Sequence, residues 1–140
     1  MAEVSPAARQ ANERAHPLSP HLQVWRWHVT MAASILHRAT GVALYGGALI
    51  LAGWALALAS GPGAYDGYMG ALGSLPGRIV LFAVTVSVFF HMANGVRHLF
   101  WDAGQGFDLG AADLTAWIAF AFGLAAAVAV WALPFAFGGF

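Results

Sequence analysis

The chain has no cysteine among its 140 residues. That excludes disulfides, thiolate-held metals or iron–sulfur clusters and a thiol nucleophile, so redox chemistry would need a histidine-held cofactor or a partner subunit. Lysine is missing as well: the six cationic side chains are all Arg, balanced by six acids for a formal net charge of zero. No basic patch argues for nucleic acid. Charged residues are scarce at 9% against 60% hydrophobic, and the mean hydropathy is +0.69, the composition of an integral membrane protein. The first thirty residues contain Glu3, Arg9, Glu13, Arg14 and Arg26 with Pro6, Pro17 and Pro20. They hold no apolar stretch long enough for a signal peptide and lack the acid-free, serine-rich character of a transit peptide. The expectation is a retained arm over residues 1–28 on the cytoplasmic side.

What is abundant is apolar sequence in three long runs. They predict an all-α fold with three transmembrane helices at about 30–59, 78–101 and 113–137, within a membrane anchor covering 29–140. The first run, Thr30 to Ala59, is roughly 45 Å long at ~1.5 Å per residue and exceeds a ~30 Å hydrocarbon core, so its first turns must protrude or tilt. In the arm, Pro17 and Pro20 interrupt helix, and the mixture of apolar, aromatic and polar residues from His16 to Trp27 suits a membrane interface or a partner's surface. Ser60-Gly61-Pro62-Gly63 ends the first run, and the loop to Gly77 has room for one interfacial helical turn. Small residues at four-residue spacing, Ala39, Ala43 and Gly47 in the first run and Ala121, Ala125 and Ala129 in the third, suggest helix-packing faces. Pro134 falls near the end of the third run, where a lost hydrogen bond costs least. With three spans, Arg9, Arg14, Arg26, Arg38 and Arg97 share one side and leave Arg78 on the other, which places the N-terminus on the cytoplasmic or matrix side.

His91 lies about thirteen residues into the second run and about ten from its far end, near mid-membrane. An ionisable ring at that depth is costly unless it is used, and neutral imidazole is a common ligand for haem iron; the competing reading is a histidine hydrogen-bonded to a neighbouring helix. Asn94, Gly95 and His98 follow at three, four and seven residues, which puts them on the face of His91. Gly95 leaves space for a flat macrocycle or another backbone. His98 is roughly 10 Å along the axis from His91, too far to ligate the same iron. The other histidines are expected at shallower levels, so a second axial ligand should come from a partner. Arg97 and His98, or His37 and Arg38, are candidates to meet haem propionates by charge-assisted hydrogen bonds; for Arg97 an ion pair with Asp102 is the alternative.

Trp27, Met31, Ser34 and Arg38 advance by four, three and four residues and form one stripe at the mouth of the first run, bordered by Ile35 and His37. An aromatic ring, a thioether, a hydroxyl and a guanidinium on one face suit a flat apolar ligand with a carbonyl at its rim, such as a quinone. An interfacial anchor is the plainer alternative. Nothing in the third run suggests chemistry.

Three stretches, Pro17-Leu18-Ser19-Pro20-His21-Leu22, Ser34-Ile35-Leu36-His37-Arg38-Ala39-Thr40-Gly41 and the run from His91 to Gly104, together closely resemble the cytochrome b membrane-anchor (C) subunits of succinate dehydrogenase, respiratory complex II. The resemblance covers about residues 16 to 137. It implies an anchor built with a second, smaller three-span subunit, sharing one haem b and docking an iron–sulfur subunit and a flavoprotein subunit, with electrons from succinate reaching ubiquinone. It further implies that His91 is the axial haem ligand and His37, Arg38 and His98 lie in the propionate region. Ser34 and Arg38 would bind and help protonate quinone, with Trp27, Met31 and Ile35 as walls. His16 departs from the family, which usually has Arg before Pro-Leu-Ser-Pro-His. Expected partners also include membrane lipids but no nucleic acid, and the chain should be inactive alone. The expected location is a bacterial inner membrane with the N-terminus cytoplasmic, the mitochondrial inner membrane being second. A fumarate reductase anchor and a non-redox scaffold are the alternatives; internal repeats or interrupted helices that would favour a transporter are missing.

Overall fold

A computed structural model describes residues 5–7, 10 and 20–136. The stretch 11–19, with His16 and the Pro17-Leu18-Ser19 part of the arm motif, lies outside the described residues. A single helical turn, His21–Val24, precedes four helices: α1 (Val29–Ala59), α2 (Pro62–Gly73), α3 (Leu75–Asp102) and α4 (Leu109–Ala136). No strand occurs among the described residues. Three helices, α1, α3 and α4, are long and apolar enough to cross a membrane, so the chain is an all-α membrane protein. Helices satisfy every internal backbone group within one segment, as a hydrocarbon medium requires.

The helix bounds exceed the apolar runs. α3 starts three residues before Arg78 and α4 four before Asp113, because caps and prolines, not hydropathy, decide where a helix begins. Ser74 ends α2 and starts α3: its hydroxyl donates to the Ala71 carbonyl at 2.6 Å and accepts from the Gly77 amide at 3.3 Å, with Pro76 in the first turn. The loop after the first run holds more than one turn. α2 is 12 residues long, started by Gly61 at φ 102° and Pro62 in its first turn, and is tied to α1 by the Tyr68 hydroxyl donating to the Ile50 carbonyl at 2.7 Å.

α3 runs antiparallel to both α1 and α4. Its tightest packing is on α4, where Phe90 stacks on Phe120 with ring centroids 5.0 Å apart, and Phe82 meets Trp131 edge-on at 5.6 Å. Gly123 permits this approach: a Cβ there would come within 2.9 Å of the Phe90 Cα. The buried row of α4 is therefore Ala116, Ala119, Gly123 and Ala127, whereas Ala121, Ala125 and Ala129 face outward. The first-run stripe is likewise split. Gly47 takes the Val84 side chain, Ala43 is half-buried, and Ala39 is exposed. α1 is the least covered span: 6% of its most apolar stretch is buried, against 22% for α4. Val42, Tyr45 and Leu49 stand exposed along it, a surface to be covered by lipid or another polypeptide.

Candidate functional site

The register of α1 against α3 sets His37 beside His91. Their rings stack, centroids 3.9 Å apart and planes 16° from parallel, and His98 lies 5.1 Å from His37. His37 is thus not at a shallower level than His91, as its place early in the first run suggested; it is the ring against which His91 rests. Rings at van der Waals contact leave no room for a macrocycle between them, so His37 cannot be a second axial ligand on an iron held by His91. Among the described residues no three His, Cys, Asp or Glu side chains form a metal-holding group. The three imidazoles form an aromatic cluster, not a chelate.

The His91 ring is oriented by α1. Its Nδ1 is 3.1 Å from the His37 carbonyl oxygen and 3.2 Å from the Thr40 hydroxyl. A carbonyl can only accept, so Nδ1 carries the proton, and Nε2 is left with its lone pair. Among the described residues Nε2 has no hydrogen-bond partner, nor is it a sealed-off polar atom. This is the tautomer a metal-ligating imidazole adopts. Gly41 completes the seat: a Cβ there would stand 3.3 Å from the His91 Cε1. Gly95, one turn along α3, has open space where its side chain would be. Among the described residues no atom fills that space, so the donor and its open flank fit a flat macrocycle.

Asn94 and Arg97 turn the other way, into the α3–α4 contact. Arg97 is only 5% exposed, and Asn94 is fully buried. The guanidinium donates from Nε to the Thr115 hydroxyl at 3.0 Å, from Nη1 to Asn94 Oδ1 at 3.3 Å and from Nη2 to the Ala112 carbonyl at 3.1 Å, and it lies 3.9 Å from the Trp101 ring centroid. Neither expected role for Arg97 holds: it neither pairs with Asp102 nor is free for a propionate. Asn94 shares no surface with an open His91 face; its Nδ2 lies 3.5 Å from the His98 Nε2. The third span therefore carries polar packing contacts. Beside Thr115, Asp113 pairs with His28 at 3.4 Å, which ties the start of α4 to the start of α1.

Met31, Ser34, Ile35 and Arg38 lie on α1, whereas Trp27 falls in the non-helical segment before it, edge-on to Trp25 with ring centroids 6.0 Å apart, so the stripe expected from helical spacing does not reach Trp27. Arg38 donates from Nη2 to the Ser34 hydroxyl at 3.3 Å. Trp27 is 60% exposed and Ile35 48%, and Met31 is half-buried.

Residues 12–130 match the family described as succinate dehydrogenase/fumarate reductase transmembrane subunit. The chain belongs to that family. Among its relatives, the succinate dehydrogenase cytochrome b556 subunit of Rickettsia felis is 43% identical over 102 residues, 72% of this chain and 78% of the relative. The corresponding b556 subunit of Paracoccus denitrificans is 38% identical over 98 residues, 70% of this chain and 75% of the relative. The human mitochondrial cytochrome b560 subunit is 40% identical over 98 residues, 66% of this chain and 56% of the relative.

In this family member, Thr40 and Thr115 hold the His91 and Arg97 side chains, and neither stands out in the sequence by residue type alone. Thr40 had a usable signal, because it follows His37 by three residues on one helical face. Thr115 had none, since its importance depends on which residue of another helix lies opposite.

Proposed function

We propose that the chain is the cytochrome b anchor of a succinate:quinone oxidoreductase, in which His91 gives one axial ligand to a haem b shared with a second, smaller anchor subunit. The observation that carries this reading is the His91 imidazole, protonated on Nδ1 toward α1 and open at Nε2. When bound, the haem supplies one-electron transfer inside the membrane. A second ligand would come from the partner, since His37 is stacked on the His91 ring and His98 lies against His37. His37 and His98, clustered with His91, and Arg38 on the exposed flank of α1 would be the groups to meet the haem propionates.

Ser34 and Arg38 form the quinone-binding pair. Ubiquinone takes up two electrons and two protons, and its carbonyl oxygen becomes more basic as electrons arrive. A guanidinium held by a hydroxyl can donate to that oxygen throughout. Trp27, Met31 and Ile35 offer apolar surface to the ring. An iron–sulfur subunit and a flavoprotein subunit would dock on the side where α1 begins and deliver electrons from succinate. Residues 1–28 are the arm on that side, and 29–140 the anchor. Bacterial relatives fit an inner membrane, and the arginine distribution argues for a cytoplasmic N-terminus. The family's description covers fumarate reductases, so both directions need assay.

Two experiments test the reading. In the intact purified complex, His91→Ala should abolish the low-spin b-type haem signal; an unchanged signal would refute the ligand assignment. Ser34→Ala or Arg38→Leu should lower succinate-to-quinone activity at least tenfold, a loss of about 1.4 kcal/mol in transition-state stabilisation, while electron transfer to a soluble dye persists. Parallel loss of both activities would mean that these residues serve assembly.

A further inference from the structure

We infer that Thr40 is a positioning residue for the His91 ligand, and that its hydroxyl sets both the orientation of the imidazole and the electron density the imidazole gives to iron. This rests on the His91 reading above.

The Thr40 hydroxyl has more acceptors around it than it has protons. Thr40 Oγ1 is 2.8 Å from the Leu36 carbonyl and 3.0 Å from the His37 carbonyl. Its single proton goes back to the helix, the usual bond of a threonine within a helix. What remains on the oxygen is lone-pair density, and that side faces the His91 Nδ1 at 3.2 Å. The Nδ1–H is therefore shared between two acceptors, the hydroxyl and the His37 carbonyl. The carbonyl is backbone and cannot be altered by substitution. Thr40 is the adjustable half of the pair.

Two acceptors on one N–H draw the proton away from the ring and raise the basicity of Nε2. A more basic ligand stabilises the more highly charged state of iron, so the pair holds the haem potential low. Geometry reinforces chemistry, because His37 fixes the plane of the ring and Gly41 lets it lie flush on α1. Removal of the hydroxyl leaves the ring held by one acceptor and freer to rotate about its bond to iron.

The test uses the whole complex with Thr40→Val, Thr40→Ala and Thr40→Ser, read by potentiometric titration of the haem and by its low-temperature paramagnetic spectrum. Val and Ala should shift the midpoint potential upward and broaden or move the low-spin signal, and Ser, which restores the hydroxyl, should return both toward the parent. Loss of haem from Val and Ala but not Ser supports the same role. Should Val be poorly assembled, Ala, which adds no bulk, carries the measurement. Fully haem-loaded Val or Ala complexes with parental potential and spectrum would overturn the inference, as would a Ser complex no closer to the parent than Val. If His91→Ala keeps its haem signal, the ligand reading itself fails; if only the Thr40 variants are silent, the ligand stands and Thr40 has no part in it.

Discussion

Arg38 and Arg97 belong to the same end of the antiparallel α1–α3 pair, about 14 Å from the start of α1 and about 8 Å from the end of α3, yet the fold treats them oppositely. Arg97 is enclosed, with three hydrogen bonds and a Trp101 ring beneath it. Arg38 is exposed and holds one hydroxyl. A guanidinium has five N–H donors, so Arg97 has most of its capacity committed within the chain and Arg38 keeps most of its own for something else. In a membrane an arginine is costly wherever it sits. The difference teaches that one is kept to join helices, while the other retains the free donors that the proposed quinone role requires.

The largest effect expected from this contrast is on Arg97. Arg97→Met keeps a long apolar side chain but leaves the buried Asn94 amide oxygen without its donor and weakens the satisfaction of the Ala112 carbonyl. A cost of about 3 kcal/mol follows for unsatisfied buried groups of this kind. The detergent-solubilised complex should melt several degrees lower and yield poorly, with quinone and dye activities falling together. Parental stability for Arg97→Met would erase the distinction between the two arginines.

A smaller loss is expected at Thr115, whose hydroxyl accepts from the Arg97 Nε and donates to the Ala111 carbonyl at 2.8 Å. Thr115→Val keeps the shape and removes both bonds, of which the Ala111 carbonyl keeps its helical partner while the Arg97 Nε loses its acceptor, so about 1 kcal/mol should be lost. Combined with Arg97→Met it should add little, because the two act through one contact. Additive losses in a thermal-melt double-mutant cycle would show that Thr115 stabilises α4 on its own.

The contrast also marks what could be read from the residues alone. The three spans were legible because ~20 apolar residues in a row have few other meanings, and the Ser34–Arg38 pair because i, i+4 neighbours meet on any helix. The buried small-residue row of α4 is not legible in the sequence because nearly every position there is apolar. With no hydrophobic contrast between faces, Ala121-Ala125-Ala129 and Ala119-Gly123-Ala127 look alike until Phe90 is found against Gly123. The depth of His37 was misjudged because register between two helices is set by side-chain fit along their whole length. Gly41 beneath His91 and Gly47 beneath Val84 fix it, and neither glycine announces its partner. The same dependence hid the Arg97 network, which joins residues fifteen and eighteen positions apart.

The smallest structural effect is expected at Arg38. Arg38→Leu removes one 3.3 Å bond from an exposed side chain and leaves no buried group unpaired, so the melting temperature should stay at the parental value, within the roughly 0.5 kcal/mol typical of surface substitutions. That near-silence is what gives the variant its value. Should quinone reduction fall in a complex that melts like the parent and still reduces dye, the loss must lie in the guanidinium's uncommitted donors. If the melt drops as far as for Arg97→Met, Arg38 is held by contacts beyond this chain, and the partner subunit uses it as Asn94 and Thr115 use Arg97.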